Sequence, residues 1–167
     1  MPREWLIDAN LLVLLIVGLT DENLIAKHAR LKRFRTVDYY RLLEVVGVPH
    51  AARARDGAEE AGMILLTTHA LTEASNLLGQ HKEPERSRLF GTLRRLVEQR
   101  EEVEVSSKLA VRSPVFTRLG LTDGALFEVA SASRPLLTVD LGLYLAIAGR
   151  DDRAAINFTH LQALDRG

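Results

Sequence analysis

Short runs of apolar residues, each followed by a segment with helical spacing, constrain most strongly how this chain folds. Strands that alternate with helices in this way predict a mainly parallel sheet with helices on both faces, because parallel strands need crossover connections. We therefore expect an α/β fold with a three-layer α/β/α arrangement. The predicted strands are residues 5–7, 63–66, 103–105, 136–139 and 154–158.

The length and composition fit one domain over residues 1–167. Domains usually span about 100 to 200 residues, and 47% hydrophobic residues are enough for a packed core. The absence of cysteine excludes disulfides, thiolate zinc sites and a cysteine nucleophile, and favours an intracellular protein. Lys+Arg and Asp+Glu both number 22, so only locally clustered charge could attract a nucleic acid.

The apolar stretch 11–17 is too short to cross a bilayer, which takes about 20 apolar residues. The stretch instead predicts a buried helix, and Gly18 is predicted to close that helix. We expect no membrane association and a cytoplasmic location.

Acidic residues follow the predicted strands or open the predicted helices. Asp8 and Asp140 come directly after apolar strands, and Glu73 falls in the first turns of the helix after the second strand. Asp123 follows Thr122, which can cap a helix over residues 123–132. Because ligands bind at the carboxyl ends of parallel strands, we expect these four acids to converge on one edge.

Clustered carboxylates suit Mg²⁺ or Mn²⁺, which prefer oxygen ligands and keep several waters. Such ions can bind phosphate oxygens and lower the pKa of a bound water, which is the chemistry of phosphodiester hydrolysis. Ordinary helix starts account equally well for Asp123, and a solvated helix face for Glu73. Asp8 and Asp140 are harder to explain without a cation, because no basic residue lies near either of them in the sequence.

Taken in order, these motifs resemble the PIN-domain ribonuclease family. They cover almost the whole chain: Leu6-Ile7-Asp8-Ala9-Asn10, Leu71-Thr72-Glu73, Leu121-Thr122-Asp123-Gly124-Ala125-Leu126 and Leu137-Thr138-Val139-Asp140. The resemblance implies an α/β/α nuclease that uses Mg²⁺ or Mn²⁺ to cleave single-stranded RNA. Many bacterial relatives are toxins that an antitoxin inhibits, and the family often forms homodimers.

The resemblance also implies roles for single residues. Asp8, Asp123 and Asp140 would bind metal directly or through water, and Glu73 would be a ligand or a base that positions water. Asn10 and Thr138 would hold a water or orient a carboxylate, with simple capping as the alternative. Asp8→Asn is expected to abolish cleavage. It should leave the fold intact, because removing one charge from a buried cluster of like charges seldom harms folding.

The interval between Asp8 and Glu73 is longer than in compact members of the family, and residues 20–60 form a basic helical insertion. We call its residues 27–35 the basic run. Phosphate attraction would make the run an RNA-binding surface, and an acidic inhibitor protein is the alternative partner. Phe34 either stacks on a base or lies in the core. The basic residues are Lys27, Arg30, Lys32, Arg33 and Arg35.

Two other functions are compatible with the same residues. The first is a catalytically silent PIN-like module that binds RNA or protein, in which the acids only stabilise the fold. The second is a metal-dependent phosphohydrolase of small phosphate esters. The four acids favour an active enzyme, and the basic run favours a polymer as substrate.

Overall fold

The central sheet has five parallel strands in the order β3-β2-β1-β4-β5. The structure is a computed structural model that describes residues 3–48 and 62–164. The predicted parallel sheet is confirmed, although β3 lies two residues before its predicted position. The strands are β1 Glu4–Ile7, β2 Met63–Thr67, β3 Glu101–Val103, β4 Leu136–Thr138 and β5 Ala155–Asn157.

Helices connect the strands, as the alternation of patterns predicts. Two 3₁₀ helices, Glu22–Lys27 and Ala29–Leu31, lie between the first two α-helices. The α-helices are α1 Ala9–Thr20, α2 Thr36–Val46, α3 Thr68–Leu78, α4 Glu85–Gln99, α5 Ser107–Ala110, α6 Phe116–Leu119, α7 Leu121–Val129, α8 Leu141–Arg150 and α9 Phe158–Leu164.

Side chains that alternate along the strands build two separate cores. Ile7 faces the core that holds α1 to α4, and Leu6 faces the core under α7 and α8. Because both faces of the sheet are covered, its strands are apolar throughout rather than alternating with polar residues. The protein is a three-layer α/β/α sandwich.

Helix α1 lies at the centre of the larger core. Residues Leu11 to Val17 are completely buried, which explains why the helix has no polar face. The helix continues past Gly18 to Thr20, so the prediction that Gly18 closes it is wrong. Gly18 is instead a point of close approach, because a Cβ there would lie 2.3 Å from the ring of Tyr39.

The insertion is helical where the structure describes it. Residues 20–48 contain the end of α1, the two 3₁₀ helices and α2, and residues 49–61 lie outside the described ranges. Within those ranges, no helix is both long and apolar enough to span a bilayer.

Candidate active site at the carboxyl edge of the sheet

Asp8 leaves the end of β1 and caps the N-terminus of α1. Its Oδ1 accepts a hydrogen bond of 2.8 Å from the backbone N–H of Leu11. Its Oδ2 accepts two, from the Thr138 hydroxyl at 2.6 Å and from the Val139 backbone N–H at 2.8 Å. Burial raises the pKa of this carboxyl, the three hydrogen bonds oppose that rise, and Asp140 adds to it. Asp8 is therefore held rigidly at the junction of β1 and β4.

Asp140 lies two residues after the end of β4 and caps α8. Its Oδ1 accepts from the Leu143 backbone N–H at 2.7 Å. Its own backbone N–H donates to Thr138 Oγ1 at 3.0 Å, and the same hydroxyl donates to Asp8. Thr138 thus joins the segments that carry the two acids.

Asp123 lies in the first turn of α7, where the sequence predicts it. The helix begins two residues earlier than predicted, so Thr122 is not its cap; Gly120 holds that position with φ 92°. Burial is the largest cause that raises the pKa of Asp123 to about 7, followed by the charges of Asp140, Asp8 and Glu73. Its carboxylate has no hydrogen bond or ion pair with any residue in the described ranges.

Glu73 projects from α3, the helix that follows β2. Thr67 caps this helix by accepting from the Ala70 backbone N–H at 3.3 Å. The Glu73 side chain is exposed to solvent but close enough to raise the pKa of Asp123. Asn10 is half-buried in the first turn of α1 and has no side-chain hydrogen bond within the part of the chain that the structure describes.

The other three predicted acids therefore all lie within electrostatic range of Asp123. Among residues 3–48 and 62–164, no three Asp, Glu or His side chains are close enough to hold one metal ion jointly. Mg²⁺ commonly binds proteins through one or two carboxylates and completes its shell with water and phosphate oxygens. The arrangement suits that mode of binding and not a closed cage of carboxylates.

The basic run is exposed, with the exception of His28, Leu31 and Phe34. Phe34 is 4% exposed and contacts the ring of Phe158, so it belongs to the core and not to a base-stacking surface. Arg33 Nη2 donates to Thr159 Oγ1 at 3.3 Å, which fixes the run against α9. All five predicted RNA-binding side chains face solvent: Lys27, Arg30, Lys32, Arg33 and Arg35.

One cation beside the acids is not predicted by the sequence. A Cβ built on Gly142 would lie 3.2 Å from Asp140 Oδ1 and 3.9 Å from Arg118 Nη1, so this guanidinium is close to the acidic edge. Arg118 stands alone between Thr117 and Leu119. No pattern in the sequence distinguishes it from an ordinary surface arginine; the packing of α6 and α8 against α7 brings it here.

Comparisons with known proteins do not assign the chain to a family. No protein-family model matches the sequence, and no curated protein is significantly similar to it. The likeness to PIN domains therefore stays a prediction that depends on the four acidic motifs.

Proposed function

We propose that this protein is a Mg²⁺- or Mn²⁺-dependent endoribonuclease that hydrolyses phosphodiester bonds of single-stranded RNA or RNA loops. One observation carries the proposal: the partly buried carboxylate of Asp123 is close enough to three other carboxylates for their charges to raise its pKa, and it has no ion pair with a described residue. Ionising a buried group among like charges is unfavourable unless a cation compensates it. A divalent ion at this edge would supply that compensation.

The hydrogen bonds indicate which of the acids have oxygens available to bind a metal ion. Both oxygens of Asp8 already accept from protein donors, so Asp8 contributes mainly negative charge and a contact through water. Asp123 has both oxygens available, and Asp140 has Oδ2. Asp123 and Asp140 would therefore hold the ion directly.

Glu73 is the group best placed to act on water. It is exposed to solvent, and its carboxylate on α3 lies close to Asp123 on α7. Its carboxylate would orient the attacking water and accept its proton, as a general base does. The bound metal would lower the pKa of that water and offset charge on the phosphate oxygens.

RNA is the proposed substrate because of the PIN-like motifs and the exposed cations of the basic run. Phosphate contacts by such residues supply much of the affinity for a nucleic acid. A small phosphate ester would need few of them. An antitoxin-like inhibitor and a homodimer belong to the same proposal; both follow from the resemblance, and the basic run would also suit an acidic inhibitor.

Cleavage of a labelled single-stranded RNA tests this function. We expect the wild-type protein to cut it with Mg²⁺ or Mn²⁺ and not with EDTA. Glu73→Gln should slow cleavage by roughly 10²-fold or more, the usual contribution of a general base. Glu98→Gln, at an exposed position on α4 outside the acidic edge, serves as the matched control and should cut at the wild-type rate.

The other outcomes point to the other functions. Cutting that continues in EDTA would contradict a metal-dependent reaction. RNA binding without cutting under any metal condition would instead indicate a silent binding module, and hydrolysis of a small ester but not RNA would indicate a phosphohydrolase.

A further inference from the structure

A short basic segment, distinct from the basic run, borders the acidic edge. We call residues 107–119 the connecting segment; it contains α5 and α6 and lies between β3 and α7. It carries three exposed basic side chains, Lys108, Arg112 and Arg118, and no aspartate or glutamate. None of the three has a hydrogen bond or ion pair with a residue in the described ranges.

The connecting segment touches the helices that carry Glu73 and Asp123. Ser107 Oγ lies 3.3 Å from His69 Nε2, in the first turn of α3 and four residues before Glu73. On the other side, a Cβ at Gly124 would lie only 2.6 Å from the backbone oxygen of Ala110. A glycine directly after Asp123 is thus what allows the segment to pack against α7.

The end of the segment reaches the third acidic element. Arg118 Nη1 lies beside Gly142, the second residue of α8, and Asp140 Oδ1 lies beside the same glycine. Arg118 and Asp140 do not form an ion pair, so the guanidinium keeps its donors available to a ligand. The segment therefore contacts, in chain order, the elements of Glu73, Asp123 and Asp140.

We propose that the connecting segment is the surface that holds the RNA backbone at the acidic edge, with Arg118 binding a phosphate next to the carboxylates. This inference rests on the proposed ribonuclease function. Four carboxylates repel a phosphate chain, so a nuclease of this kind needs cations immediately beside them. A guanidinium matches phosphate geometry with paired donors. Lys108 and Arg112 are exposed on the same segment and would add further phosphate contacts.

The salt dependence of RNA binding tests this assignment. Binding of a labelled single-stranded RNA is measured over a range of KCl concentrations in EDTA, where cleavage does not occur. Each lost phosphate contact should reduce the slope of log K against log salt by about 0.7 for a single strand. We expect that reduction for Arg118→Ala and about three times as much for the variant that also has Lys108→Ala and Arg112→Ala.

Controls separate this inference from the proposed function. Arg94→Ala removes an exposed arginine on α4 and should leave the slope unchanged. If the triple variant binds with the wild-type slope while the wild type cuts RNA with Mn²⁺, only the assignment of this surface is overturned. An acidic protein partner would then be the alternative ligand of its cations. A wild type that neither binds nor cuts RNA would overturn both proposals.

Discussion

Replacing Asp123 with asparagine is expected to abolish RNA cleavage and, at pH 8, to stabilise the fold. The charged form is penalised in the folded protein, since burial and three neighbouring carboxylates raise the pKa of Asp123 from 3.8 to about 7. Asparagine keeps the shape and removes the charge. Allowing for partial exposure, the gain should be on the order of 2 kcal/mol, because each unit of pKa corresponds to about 1.4 kcal/mol.

The sign of the pH dependence follows from proton binding. Between about pH 4 and pH 7 folded Asp123 holds its proton more tightly than the unfolded chain does, so the free energy of unfolding falls as pH rises. The advantage of Asp123→Asn should therefore grow over this interval and level off above about pH 7. Urea unfolding of both proteins in EDTA at several pH values measures it.

Asp152→Asn is the matched control, because Asp152 is exposed and lies outside the acidic edge. It should leave cleavage at the wild-type rate. An Asp123→Asn protein that is less stable than the wild type at pH 8 would contradict the electrostatic account, and one that cuts RNA normally would remove Asp123 from the site.

Asp8→Asn is expected to lose cleavage and also stability, although it makes the same chemical change. Three donors point at the two oxygens of Asp8, from Leu11, Thr138 and Val139. Asparagine has only one oxygen, so its amide must face at least one buried backbone N–H in either orientation. Leaving such a group unsatisfied costs about 1 to 3 kcal/mol. We expect this cost to exceed the gain from removing a charge that burial disfavours, since burial also raises the pKa of Asp8.

The expected loss of stability differs from the prediction made from the sequence alone, which is an intact fold after Asp8→Asn. The comparison with Asp123→Asn is the sharpest test, since denaturant midpoints of the two variants should move in opposite directions at pH 8. Equal stability of wild type and Asp8→Asn would show that the hydrogen bonds around Asp8 do not contribute to folding. Cleavage at the parental rate would exclude Asp8 from catalysis.

The parts of the fold that depend on local patterns are predictable from the sequence. Apolar runs identify β1, β2 and β4 because both faces of the sheet are covered. These runs also predict that Asp8 and Asp140 lie at the ends of strands, at the same edge of the sheet. Parallel pairing of β1 with β4 then brings the two acids together.

The other features depend on contacts between distant segments. The hydrogen bond from Thr138 to Asp8 joins residues 130 positions apart. Helices α5 and α6 have four residues each, too few for a helical period to be recognised. Arg118 consequently has no signature in the sequence, whereas the basic run is conspicuous there and its Phe34 turns out to be buried.

Titration of the protein with Mn²⁺ by calorimetry, in two buffers of different ionisation enthalpy, tests most directly whether the four acids form a cation site. Near pH 6.5 Asp123 is partly protonated, so Mn²⁺ should bind the wild type and release protons, while Asp123→Asn should bind it more weakly and release fewer. A wild-type protein that binds no Mn²⁺, or that binds it with the same proton release as Asp123→Asn, would contradict the account.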